Sequence, residues 1–150
     1  MFRQINVGGK DVKFQCSAAT QVLYKRLFGK SLPSEMGKLA EAGKAAKKMQ
    51  ERLAELREGE DNNQKILDLL AEDNSVMELS SMTQEIVPQL AYIMWLEGNC
   101  QQRDVFQGLT QEGYVSWLTN WEPNDMINAS SEFFELWNGT NKTNSNLKNV

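Results

Sequence analysis

The chain has 150 residues, 41% of them hydrophobic and 24% charged, with a formal net charge of −4. That length suits one domain with a proper core, and the acidic balance argues against general electrostatic attraction to nucleic acid. Histidine does not occur, which removes Ser-His-Asp and Cys-His catalysis and the commonest metal ligand.

A mean hydropathy of −0.52 is lean for a compact globule and fits a core with extended or exposed segments better than a tight enzyme. Cys16 and Cys100 lie far apart and form no CxxC, so they read as reduced thiols of a cytoplasmic protein. The opening MFRQINVGGK has no apolar h-region, so export is not expected. The N-x-S/T sequons at Asn128, Asn138 and Asn141 are then chance matches in an Asn-rich tail.

In chain order, residues 2–16 carry two alternating runs around Gly8-Gly9-Lys10-Asp11, the signal of a β-hairpin. A lone hairpin is marginal in water, so it is expected to lie on the helices that follow. Ser17 is placed as an N-cap, and Val22, Leu23, Leu27 and Phe28 then recur at helical spacing until Gly29. A second helix is expected from near Pro33, with a narrow heptad-like stripe of Leu39, Ala42, Ala46, Met49, Leu53 and Leu56. Arg57 to Gln64 reads as a polar turn, and a short helix with Ile66, Leu67 and Leu70 ends at Glu72-Asp73-Asn74.

The densest apolar run is Leu90 to Leu96, within a segment from Ser81 to Gly98. A helix apolar all round has to be buried, and a membrane span would need roughly 20 predominantly apolar residues. Ser81 with Gln84 matches a capping box, Gly98 suits the end, and Pro88 predicts a kink or restart. After a polar connection over Asn99 to Asp104, the segment Thr110 to Trp121 spaces Tyr114, Trp117, Leu118 and Trp121 along one helix face. A last helix with Met126, Ile127, Phe133, Phe134 and Trp137 is expected to stop at Gly139, leaving 139–150 as a disordered tail. The expected fold class is therefore mainly α with a short N-terminal β-hairpin, one compact helical domain over 1–138 followed by the tail.

No residue set assembles an acid, a base and a nucleophile, so an enzyme is not expected, and no cofactor or metal frame is present. Lys38, Lys44, Lys47, Lys48 and Arg52 form a basic cluster interleaved with Glu41, Glu51 and Glu55, with Lys47 and Glu51 spaced for an i, i+4 pair. This reads as a solvated helix face, the alternative being a phosphate-binding one. The pairs Glu60-Asp61 and Glu72-Asp73 lack calcium-loop spacing. The aromatics Tyr92, Trp95, Tyr114, Trp117, Trp121, Phe134 and Trp137 either fill a core or line a partner-binding groove.

The order of features, from FRQINVGGKDVKFQCSAAT and VLYKRLFGKSL through MWLEGN to FFELWNGT and an Asn/Lys-rich tail, resembles the tail assembly chaperones of long-tailed, siphovirus-type bacteriophages and prophages of Gram-positive bacteria. The resemblance covers the first thirty or so residues and the second half; residues 38–64 fall outside it. It implies a non-catalytic, mostly helical protein of the host bacterial cytoplasm, absent from the mature virion. It also implies that the chain binds the tape-measure protein, keeps its apolar helices soluble and helps deliver tail-tube protein, with a homo-oligomeric ring or spiral compatible with that role. Family members are often made in two forms by a ribosomal frameshift, and Leu147-Lys148-Asn149 is compatible with an A-rich slippery heptamer. The alternatives are a structural virion protein, such as a tail-completion or head–tail connector subunit, and a nucleic-acid-binding regulator using the Lys38–Arg52 helix.

Overall fold

A computed structural model describes residues 1–59 and 62–140 in full and carries the backbone of the last helix to Lys148. The chain is mainly helical with an antiparallel two-stranded hairpin at its N-terminus. It divides into two compact units, Met1–Pro33 with Glu85–Val150, and Ser34–Gln84.

In the first unit, β1 (Phe2–Val7) pairs with β2 (Lys10–Gln15), with Ile5 opposite Val12 and Val7 opposite Lys10. Gly8 and Gly9 make the two-residue turn at φ 58° and 84°. Two successive positive φ values belong to the turn whose twist matches a hairpin, and glycine adopts them without a Cβ clash. Alternation puts Ile5, Val7 and Phe14 inside, where Phe14 meets Phe133 edge-on at 4.8 Å.

Helix α1 (Ala19–Phe28) has Ala18 rather than the expected Ser17 at its N-cap. One residue earlier, Ser17 Oγ accepts the Ala19 N–H at 3.1 Å and Thr20 Oγ1 accepts the Ser17 N–H at 2.9 Å, a reciprocal exchange that holds the turn into the helix. That is the capping-box logic with threonine in place of glutamate. Gly29 closes the helix in the left-handed conformation.

Helix α4 (Ser75–Asn99) supplies the centre of this unit through its second half. Leu90, Ala91, Ile93 and Met94 are fully enclosed, and Tyr92 and Leu96 nearly so. Burying each large apolar side chain contributes about 1.5–3 kcal/mol. The helix differs from expectation at both ends. Ser81 and Gln84 lie inside it rather than capping it, because the true start is at Ser75, whose N–H is accepted by Asp73 Oδ1 at 2.9 Å. It does not restart at Pro88, which removes a single intrahelical donor. Gly98 is helical too. A Cβ there would stand 2.9 Å from the Lys13 carbonyl oxygen and 3.3 Å from the Gln15 nitrogen, so glycine serves close approach to the hairpin. Asn99 Nδ2 donates to the same Lys13 carbonyl at 2.7 Å.

The polar stretch after Asn99 is shorter than expected, since α5 (Gln102–Gly108) already occupies its second half. Helix α6 (Gln111–Leu118) is capped by Thr110, whose side chain accepts the Gly113 N–H. It ends three residues before Trp121. The last helical segment is two elements, α7 (Asp125–Asn128) and α8 (Ser130–Lys148), separated at Ala129. Gly139 does not stop α8, because Gly139 and Thr140 are both helical. Of the rest of the expected disordered tail, the backbone is described as part of α8 to Lys148, and the side chains of 141–148 and residues 149–150 lie outside the described residues.

In the second unit, α2 (Leu32–Glu58) buries Leu39, Ala46, Met49 and Leu53, with Ala42 and Leu56 half-buried. The heptad-like stripe is therefore the inner face of that helix. Helix α3 (Asn63–Glu72) has no fully buried residue. Ser75 Oγ donates to the Ala45 carbonyl at 3.4 Å and touches Met49 Sδ at 3.6 Å, which packs the start of α4 on α2.

Candidate partner-binding surfaces

Five of the seven aromatics singled out by spacing form one connected cluster. Tyr92 stacks on Trp95 at 6.1 Å and meets Tyr114 at 5.4 Å and Trp117 at 5.2 Å. Trp117 also contacts Trp95 at 5.9 Å and Trp121 at 5.8 Å. Phe28 extends the cluster, 5.1 Å from both Tyr24 and Tyr114.

Spacing i, i+3 along α4 and α6 aims these rings at one another, so that they pack together. Tyr92 and Trp117 are 2% and 6% exposed, and Trp137, in α8, is 4% exposed. Trp95, Tyr114, Trp121 and Phe134 are half-buried. Phe134 and Trp137 do not join the ring cluster.

The phenols are tied down. Tyr92 Oη donates to the Gly108 carbonyl, and Tyr24 Oη donates to Gln89 Oε1 at 2.8 Å. Burial, with the Glu85 charge as a smaller cause, pushes the Tyr114 phenol up to about 12. Trp121 is the loose end: its Nε1 is buried with no acceptor among the described residues, while Lys10 lies over its ring at 5.9 Å.

Exposed large apolar side chains occur in both units, with Met1, Phe2, Val22, Phe106 and Val115 in the first. In the second unit Leu67, Leu70, Val76 and Met77 are 59%, 51%, 38% and 76% exposed. A cavity of about 510 Å³ opens among Met49, Leu53, Leu70, Val76 and Met77, edged by Arg57 and Asp73. Large apolar side chains gathered at a concave surface and rimmed by charge are the usual anatomy of a protein-binding site. Methionines at its floor and lip can follow partners of different shape. A wider depression of about 960 Å³ in the same unit is lined by Gly37, Ala42, Ala45 and the charged Lys38, Glu41 and Glu78, with the half-buried Met82 as its large apolar residue.

The basic cluster on α2 is solvated along its length, and part of it is neutralised within the helix. Lys38 pairs with Glu35 at 3.4 Å and Lys44 with Glu41 at 3.7 Å, both at i, i+3. The anticipated Lys47–Glu51 pair is not among the ion pairs of the described residues. Cys16 is buried and Cys100 half-buried, and burial raises both thiols above their ordinary range. Neither carries the depressed pKa of a reactive thiol. Among the described residues no group of three or more carboxylates or cysteines stands ready to hold a metal, and no helix is long and apolar enough to cross a membrane. The Glu60-Asp61 pair lies outside the described residues.

Sequence reasoning missed one polar arrangement. Glu97, near the end of α4, accepts hydrogen bonds from Ser17 Oγ and from the fully buried Thr20 Oγ1, each at 2.5 Å. Contacts 77 and 80 residues apart leave no local pattern by which to find them. Comparison of the chain with protein-family models, with curated proteins and with solved structures finds no match.

Proposed function

We propose that the chain is a non-catalytic tail assembly chaperone that binds amphipathic helices of a phage tape-measure protein. The ordered sequence features described above motivate the reading. The observation that carries it is the exposed apolar cavity among Met49, Leu53, Leu70, Val76 and Met77. An amphipathic helix lays its apolar face into such a groove, with side chains at i, i+3 and i+4 as anchors.

The tested pair is this chain co-expressed with the tape-measure protein encoded beside it, followed by pull-down and a solubility assay. The reading expects the tape measure to be soluble and to co-purify only when the chain is present. Leu70→Ser together with Met77→Ser removes exposed anchors and should abolish co-purification while the chain itself stays folded. A tape measure indifferent to the chain overturns the reading. Mass spectrometry of purified virions adds a separate arm: a chaperone is missing there, whereas a connector or tail-completion subunit is present.

A further inference from the structure

A second cavity, of about 320 Å³, opens in the first unit where the start of α1, the end of α4 and the start of α5 come together. Its apolar wall is Leu23, Val105 and the 54% exposed Phe106, and Glu97 stands in its lining with Ser17 and Gln102. The Glu97 carboxylate receives one hydroxyl donor on each oxygen, from Ser17 and Thr20. Each carboxylate oxygen can accept more than one hydrogen bond, so acceptor capacity remains.

No ion pair to Glu97 exists among the described residues. The N-terminal ammonium, which donates to the Cys16 carbonyl at 3.1 Å, lies close enough for its charge to favour the Glu97 carboxylate but makes no ion pair with it, and the Arg26 guanidinium lies 5.1 Å over the Phe106 ring. A carboxylate held in a partly dry cavity without a direct ion pair is unfavourable, and burial raises its pKa against the opposing Ser17 and Thr20 hydrogen bonds and the N-terminal charge.

We propose that this cavity binds an alkylammonium group, the end of a lysine side chain on a partner, with Glu97 as its counter-ion. The ammonium brings three donors to a carboxylate with spare acceptor sites, and charge-assisted hydrogen bonds are the strong ones. Leu23, Val105 and Phe106 take the methylene stem, as apolar surface does along any lysine. Arg26 on Phe106 shows that the aromatic edge of the site already tolerates a cation. The inference stands on the cavity alone and does not depend on the chaperone reading.

The test is an NMR titration of the isotope-labelled chain with n-butylammonium chloride, and with 1-pentanol as a neutral probe of similar size. The expected result is saturable shifts of the Ser17, Ala19, Gln102 and Val105 amides with the ammonium in the millimolar range, and none with the alcohol. Glu97→Gln should weaken binding by about tenfold or more, as loss of a charged hydrogen bond does. Gln102→Lys, at an exposed position of the same lining, should occupy the site from within and abolish the shifts, which keeps the test decisive if Glu97→Gln misfolds. Equal response to the alcohol, or no saturable response to the ammonium, overturns the proposal.

Discussion

The two units are built on opposite plans. In the first, an apolar run in α4 is enclosed by a hairpin and short helices, and rings and phenols lock to one another. In the second, smaller unit one stripe of α2 is buried, α3 has no buried residue, and Leu67, Leu70, Val76 and Met77 face water close together in sequence. The exposed Met1, Phe2, Val22, Phe106 and Val115 of the first unit are instead scattered along the chain. A well-filled core resists change, whereas a thin element with exposed apolar surface opens at lower free energy and has surface left to offer a partner. The aromatic spacing that looks most like a binding motif thus buries Tyr92, Trp117 and Trp137 and leaves Trp95, Tyr114, Trp121 and Phe134 half-buried, while less conspicuous leucines and methionines carry exposed surface in the second unit.

The largest expected break of this contrast comes from Phe133→Ala, which empties a fully buried site beside Phe14. It should destabilise the chain by about 3–5 kcal/mol, read by urea unfolding. Leu70→Ala, half exposed on α3, should change stability much less. Equal losses would mean that the second unit is as tightly packed as the first.

Glycines in the two units answer differently. Gly98→Ala pushes a Cβ against the hairpin backbone and should cost about 1–3 kcal/mol, as overpacking does. Gly37→Ala and Gly43→Ala on α2 meet open space and should each stabilise by about 0.4–1 kcal/mol. Thermal unfolding of the three variants gives both signs, and stabilisation by Gly98→Ala would remove the close-approach explanation.

A smaller effect concerns pH. Burial raises the Glu97 pKa above its ordinary 4.5, with the Ser17 and Thr20 hydrogen bonds acting against it. As pH rises from 4.5, the unfolded chain gives up this proton before the folded one does. The folded state therefore binds more protons in that window, and stability from this group falls as pH rises and is level above the folded pKa. Glu97→Gln should flatten that part of the stability profile relative to the parent chain. An unchanged profile would mean that the carboxylate is hydrated.

Much of the fold was legible because its signals are local. The Gly8-Gly9 turn, the αL glycine at Gly29, the stripe on α2 and the apolar run of α4 each follow from neighbouring residues. The misplaced boundaries share a cause. Ser81, Pro88 and Gly98 carry local stop or start chemistry, yet the enclosure of Leu90–Leu96 and the close hairpin contact at Gly98 override it. Helix α5 escaped notice because its seven residues are too few to show a period. The candidate surface was half legible: Leu67 and Leu70 were visible as a helix face, but whether that face is covered depends on packing partners that spacing does not specify.

The most direct test of the central claim is hydrogen exchange of the chain alone and with the co-expressed tape-measure protein. Weak protection over residues 63–77 in the free chain should rise on binding, while the already protected 86–96 region stays unchanged. Protection gained instead around Trp95, Trp117 and Trp121, with 63–77 indifferent to the partner, would contradict the account.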